Sequence, residues 1–301
     1  MWLLPVPNPE QKRLSDIPVQ SDRPRNNFVL VVFDSCRYDS LIEARPRHIR
    51  KLGKVEKRWS YASWTSPSHY NLLTGLMPHT SPRHVYASEY YKREFLQFNA
   101  RLGCEHIEFK SLIPGLFLPS FLRDSLGYRT HAMVSLPVLN PKTILNTGFD
   151  SYRLMERHND MRAMVREMKF SEEQPSFFLL NAGETHYPYA LPDEPPDQWP
   201  HLSGVHGVFR HLDEQAPGGR LVPTRKRFNQ PKLDELRQRQ IAAVKHLDGV
   251  VEELFDTVPQ NTWITILSDH GELFGEDGYF GHGPIHHDKV WEVPFVEGKL
   301  R

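Results

Sequence analysis

Between Phe28 and Phe33 the chain reads FVLVVF, an apolar run without polar interruption that stops at Asp34. A strand that is apolar on both faces belongs in the middle of a parallel sheet covered by helices on both sides. Runs of the same kind recur at Phe177 to Asn181 (FFLLN) and Trp263 to Leu267 (WITIL). Shorter ones lie at Thr130 to Ser135 and Val293 to Val296, with a strand-like stretch from Val55 to Ala62. Between them the period changes. Tyr38 to Leu52 has helix-like spacing, Trp64 to Thr74 opens another helix, and Pro119 to Leu126 forms one more with Gly127 as its stop signal. Lys232 to Val258 places Leu233, Leu236, Ile241, Val244, Leu247, Val250, Val251 and Leu254 on one stripe, an amphipathic helix of roughly seven turns. Strands alternating with helices predict an α/β fold, a mostly parallel central sheet flanked by helices on both faces. Residues 1–27 are polar and Pro-rich without a period and read as an N-terminal arm; residues 190–230 read as a surface excursion from a domain spanning 28–301.

Composition narrows the function classes. With 301 residues and 39% hydrophobic positions the chain can build the core of one large α/β domain, which excludes disorder, collagen and disulfide-scaffold classes. Lys plus Arg is 37 and Asp plus Glu is 37, so nothing in the charge balance calls for a nucleic-acid polymer as partner. Two cysteines give neither a disulfide framework nor a Cys-rich zinc module, and a reducing, cytoplasmic setting is the expectation. No uninterrupted apolar window of about 18 residues is present, so no membrane anchor is expected. The unusual feature is the 16 histidines, whose meaning depends on placement.

In parallel sheets ligands sit at the carboxyl ends of the strands. Three strand ends carry polar chemistry here: Asp34, the Glu184/His186 segment, and Asp269-His270. Two carboxylates and an imidazole suit Zn²⁺ or Mn²⁺ better than an all-oxygen Ca²⁺ cage. The ordinary alternative is that each Asp caps a helix after its strand. In the segment Ser63 to Gly75, Pro67 reads as the first helical residue, Ser66 as the N-cap and Thr65 as the residue just outside. A hydroxyl there faces unpaired amides and the positive end of the helix dipole, an arrangement that stabilises an alkoxide or a phosphate oxygen. The plain alternative is a capped helix.

Taken in order, VVFDSCRYDS, WTSPSHYNLLTGLMPH, ETHYPY, LSDHGELFGEDGYFGHG and VPFV span Phe28 to Val296. This set resembles the sulfatase-like branch of the alkaline phosphatase superfamily, which implies that family's α/β/α sandwich. Sulfatases carry Cys or Ser, any residue, Pro, Ser, Arg, and oxidise the first residue to formylglycine; here Thr65, Ser66, Pro67, Ser68 and His69 stand there. Threonine lacks the CH₂ that this oxidation needs. The resemblance therefore points to the phosphorus-processing members: nucleotide pyrophosphatase/phosphodiesterases, lipoteichoic acid synthases and phosphoethanolamine transferases. It implies Asp34, Thr65, Asp269 and His270 as ligands of one divalent metal, Thr65 as nucleophile, and His186 and His282 as groups that bind the phosphoryl oxygens, one of them protonating the leaving oxygen.

Departures from the sulfatase pattern agree with this. Ser35 replaces a second Asp, and Val134, Ser135, Leu136 and Pro137 occupy the place of a Gly-Lys-x-His stretch that holds sulfate. A second metal would have to draw on Glu184, His186 and His282. Arg37 is a candidate phosphate contact, with an Arg37-Asp39 structural pair as the alternative. His286 and His287 are expected at the rim, Cys36 packed beside the site, and Asp248 at the surface or in a supporting role. The function implied is a metal-dependent phosphohydrolase or phosphotransferase acting through a phosphothreonine intermediate on a soluble phosphodiester, phosphonate or phosphomonoester. Two alternatives stand beside it: a sulfuric-ester hydrolase working without formylglycine, and a catalytically silent metal-binding scaffold. The second arises because the chain stops soon after VPFV, where relatives continue into a C-terminal subdomain. Oligomeric state has no signature in the sequence.

Overall fold

The computed structural model describes residues 25–81, 88–105, 107, 117–202, 228–283 and 285–299. Most of the arm expected at 1–27 and the middle of the excursion at 190–230 lie outside the described residues.

Seven strands form the main sheet: β1 (Asn27–Phe33), β2 (Glu56–Trp59), β3 (Arg129–Val134), β4 (Ser151–Leu154), β5 (Ser176–Ala182), β6 (Thr262–Leu267) and, after a two-stranded ribbon of β7 (Leu273–Phe274) and β8 (Phe280–Gly281), β9 (Glu292–Lys299). Their order is β2-β9-β6-β1-β5-β3-β4. β9 pairs antiparallel with both β6 and β2, and the other pairings are parallel. The sheet is thus mostly parallel, as the runs of apolar residues require. In register, Val32 of β1 faces Asn181 of β5 on one side and Leu267 of β6 on the other. These strands end together, so the residues that follow them leave the same edge of the sheet.

Alternation along β1 divides the core. Phe28, Leu30 and Val32 pack in a cluster with Leu72, Phe98 and Leu122, while Val29, Val31 and Phe33 pack on the opposite face with Leu41, Val244 and Val251. The helices are α1 (Tyr38–Ala44), α2 (Thr65–Leu73), α3 (Ser88–Leu102), α4 (Leu118–Leu126), α5 (Met161–Glu167), α6 (Gln230–Thr257) and α7 (Asp288–Trp291). α6 buries the stripe predicted for it, and α4 stops at Gly127, whose φ of 69° is the left-handed cap that glycine favours.

Three expectations change. The helix predicted over 38–52 ends at Ala44, because Arg45 turns left-handed ahead of Pro46 and a residue before proline avoids the α region. A short 3₁₀ turn, Ile49–Lys51, takes up the remainder. The N-cap of α2 is Trp64, not Ser66, so Thr65 is itself the first helical residue. Pro67 is tolerated within the first turn because the amide it lacks would have no intrahelical partner. Finally, α3, α5 and β4 were not foreseen. α3 buries Phe95, Phe98 and Leu102 among charged neighbours, and α5 and β4 are too short to show a period.

Asp248, on the buried face of α6, proves to be support and not surface. Its carboxylate accepts the amides of Arg47 (2.8 Å), His48 (3.0 Å) and Ile49 (2.9 Å), capping the 3₁₀ turn and joining α6 to the segment after α1. Asp248→Ala leaves these amides without a partner, and urea unfolding should show a loss of about 1–3 kcal/mol. An unchanged midpoint would remove the cap from the list of contacts that matter.

Candidate active site and metal centre

Asp34 is the first residue after β1 and is completely buried. Its Oδ2 accepts the Asn181 side-chain amide (2.8 Å), and its Oδ1 accepts the hydroxyls of Ser35 (3.2 Å) and Thr65 (3.3 Å). Asp269 follows β6. Its Oδ1 accepts the backbone amides of Ser35 (3.1 Å) and His270 (3.0 Å), whereas its Oδ2 is buried with no hydrogen-bond partner. Ser35 reaches this position by adopting a φ of 59°, which turns its amide across to the neighbouring strand end. His270 donates Nδ1–H to the Gly271 carbonyl (3.0 Å), leaving the Nε2 lone pair 3.3 Å from both Thr65 Oγ1 and Asp269 Oδ2.

One donor atom from each of Asp34, Asp269 and His270 lies within 4.8 Å of the others. A buried carboxylate oxygen without a donor is costly unless a cation answers it. The orphaned Asp269 Oδ2, the outward Nε2 of His270 and the adjacent Thr65 hydroxyl together fit a divalent metal of the Zn²⁺ or Mn²⁺ type. Electrostatics agree. Burial, reinforced by the charge of Asp34, pushes the Asp269 carboxyl well above its ordinary range. Burial works against ionised Asp34 as well, but the surrounding imidazoles, His186 foremost, and the Asn181 hydrogen bond outweigh it and hold Asp34 below its usual value. Burial, with His282 beside it, pushes His270 well below the normal imidazole range, so it is neutral and able to ligate.

The other histidines selected from the sequence gather at the same place. The His282 ring centroid lies 4.2 Å from that of His270 and 5.4 Å from that of His186. Arg37 does not join them. It is buried, pairs with Asp39 (2.6 Å) and Glu276 (2.6 Å) and donates to the Glu272 carbonyl, so the structural alternative replaces the phosphate contact. Glu184 turns into the interior, where Oε1 accepts the Met161 amide at the start of α5 (2.8 Å). Among the described residues no second group of three donors assembles for another ion. His287 caps α7 through Nδ1 (3.0 Å to the Lys289 amide), and His286 packs on Trp291. Cys36 is buried, and burial raises its thiol far above the reactive range.

Residues that the sequence did not single out hold the site together. Asn181 uses every polar atom: its amide nitrogen donates to Asp34 and to His69 Nε2 (3.3 Å), and its oxygen accepts the amides of Ser135 (3.1 Å) and Leu136 (3.4 Å). His69, one turn after the nucleophile candidate, donates Nδ1–H to the Thr65 carbonyl (2.9 Å). Gln240 reaches from α6 to the carbonyls of Ser35 (3.0 Å) and Thr185 (3.1 Å), and the Thr185 hydroxyl donates to the Asp34 carbonyl (2.8 Å). A polar residue within an otherwise apolar stripe, as Gln240 is, was the available signal. Asn181, closing an apolar run, was another.

Glu184 makes the site's surroundings sensitive to pH. Burial raises its carboxyl from 4.5 to about 7, so the folded protein holds a proton that the unfolded chain has released. This contribution to stability is complete below pH 4.5 and is lost as pH rises through about 7. Glu184→Gln should flatten the decline in unfolding free energy across that window by roughly 3 kcal/mol. Parallel pH profiles for the two proteins would count against it.

The sulfatase family model matches residues 26–296. No curated protein matches the sequence. Among solved structures the fold is similar to the C-terminal periplasmic domain of EcEptC from Escherichia coli in complex with Zn, at 15% identity and a TM-score of 0.51, over 93% of this chain and 74% of that one. A second structure of that domain gives 14% identity and a TM-score of 0.52 over the same shares. These likenesses establish the α/β fold, and the family model runs from the start of β1 into β9 and includes each strand end of the site. The chain therefore belongs to the sulfatase family.

Proposed function

We propose that the protein is a metal-dependent phosphohydrolase or phosphotransferase with Thr65 as its nucleophile. The observation that supports this most directly is the position of Thr65 Oγ1, 3.3 Å from both Asp34 Oδ1 and His270 Nε2 and on the first residue of α2. Negative charge on that oxygen lies at the positive end of a helix dipole. A divalent cation held by Asp34, Asp269, His270 and Thr65 would lower the hydroxyl's pKa and offset charge on the phosphoryl oxygens. Thr65, oriented by its bond to Asp34, attacks phosphorus in line and becomes a phosphothreonine. His186 and His282 hold the phosphoryl oxygens, and water or an acceptor alcohol then releases the group.

The substrate class is a soluble phosphodiester, phosphonate or phosphomonoester. A sulfuric-ester reading is weaker for this chain, because Val134, Ser135 and Leu136 are apolar or uncharged and buried where sulfatases place a cationic clamp. Among the described residues no helix is long and apolar enough to cross a membrane. Cys36 and Cys104 are free, buried thiols, which fits the cytoplasmic setting we propose, although the Escherichia coli neighbours are periplasmic domains.

Purified protein should carry about one equivalent of zinc or manganese. Thr65→Ala should lower turnover of a p-nitrophenyl phosphodiester by about 10³-fold or more while near-UV circular dichroism stays unchanged. Mass spectrometry of the trapped enzyme should find a phosphoryl adduct on Thr65. Retained turnover in Thr65→Ala, or an adduct on another residue, would sink the proposal.

A further inference from the structure

Glu272 is 1% exposed and has no part in the steps above. It precedes β7, and pairing of Leu273 with Gly281 in the β7-β8 ribbon brings it beside His282. Its Oε1 lies 3.2 Å from His282 Nδ1. Its Oε2 accepts the hydroxyl of Tyr189, a side chain with no exposed surface. Burial, reinforced by the charge of Glu272, raises the Tyr189 phenol well above its ordinary value, so this hydroxyl keeps its proton and donates it to the carboxylate. The backbone is fixed as well, since the Glu272 carbonyl accepts the Arg37 guanidinium (3.4 Å). A carboxylate anchored in this way can only accept from the imidazole. Nδ1 therefore carries the hydrogen, and Nε2, on the half-buried edge of the ring, has no protein partner among the described residues.

Building on the threonine-nucleophile reading, we propose that Glu272, anchored by Tyr189, is the positioning residue for His282, fixing its Nδ1–H form and presenting Nε2 to the leaving oxygen. In the first step the bond from Thr65 Oγ1 to phosphorus forms. The phosphorus–oxygen bond to the leaving group breaks with its electron pair on oxygen; His282 enters this step as the imidazolium, and its Nε2 proton passes to that oxygen, leaving the neutral Nδ1–H form held by Glu272. In the second step water attacks phosphorus and gives a proton to Nε2, and the Thr65–phosphorus bond breaks to restore the alkoxide. Ser35 Oγ gives its hydrogen to Asp34 and could only accept from Nδ1; at 3.5 Å and without charge it is a weaker partner than the carboxylate at 3.2 Å. The pairing follows the general way a carboxylate orients a working histidine.

Two measurements on the zinc-loaded full chain test it. Nitrogen-15 NMR of histidine-labelled protein at alkaline pH should find His282 in the Nδ1–H form in wild type and in Glu272→Gln, whose amide oxygen still accepts, but not in Glu272→Ala. Turnover should then depend on the leaving group. Glu272→Ala should lose about tenfold on a p-nitrophenyl phosphodiester, whose leaving group needs no proton, and at least about a hundredfold on an alkyl phosphodiester. Tyr189→Phe should show the same bias to a smaller degree, and Glu272→Gln should restore most of the alkyl-ester rate. An Nε2–H form in wild type, or equal losses on the two esters, would overturn the assignment. Failure of the nucleophile itself reads differently: Thr65→Ala would keep its turnover while the His282 tautomer stayed as assigned.

Discussion

Two carboxylates buried against each other at the end of parallel strands are the constraint around which this molecule is arranged. Asp34 and Asp269 come from neighbouring strands with no exposed area to share their charge with water. Like charges at that distance in a poorly polarisable interior cannot both ionise unless something positive is placed between or around them. The fold answers in layers. Backbone amides of Ser35 and His270 take one oxygen of Asp269, Asn181 and two hydroxyls take both oxygens of Asp34, and one oxygen of Asp269 is left for a cation. The remaining imbalance is why donor set and charge distribution fit a divalent metal so closely.

The same constraint accounts for what could be read from the sequence and what could not. β1, β5 and β6 are buried on both faces, so their apolar runs are continuous and end at the residues that matter; Asp34, Asp269 and His270 were visible for that reason. The stripe of α6 was visible because one face of a long helix packs on the sheet. By contrast, α5 and β4 present too few residues for a period, and α3 interleaves its buried Phe95, Phe98 and Leu102 with charges. The start of α2 was displaced to Thr65 because a proline signals a first turn more firmly than it signals a position within it. For Arg37 the structural pairing with Asp39 was visible two residues away, whereas its second partner Glu276 was not, because it lies on the loop between β7 and β8, far along the chain.

Supporting residues were the least legible part of the site. The meaning of Asn181 depends on its lying beside Asp34, His69 and the amides after β3 at once, and that of Glu272 on a ribbon register that brings His282 to it. Neither follows from residue type. What the sequence could offer was anomaly: an amide closing an apolar strand, a glutamine in an apolar helical stripe, an acid two residues after the candidate ligands Asp269 and His270. Each of these proved to be a polar group that is buried and satisfied by partners from other elements, which is what burial demands of polar side chains.

Asn181 and His69 also couple two requirements that a nucleophile beside a metal must meet together. In the proposed mechanism Thr65 has to sit close to Asp34 and His270, yet it belongs to α2 while they belong to strand ends. A helix held only by apolar contacts with the sheet could slide by a fraction of an ångström at little cost, and in-line attack does not tolerate that freedom. His69 donates to the carbonyl of Thr65 and accepts from Asn181, whose other amide hydrogen goes to Asp34. The path from the Thr65 backbone to the Asp34 carboxylate therefore runs through two side chains with all their hydrogen bonds directed.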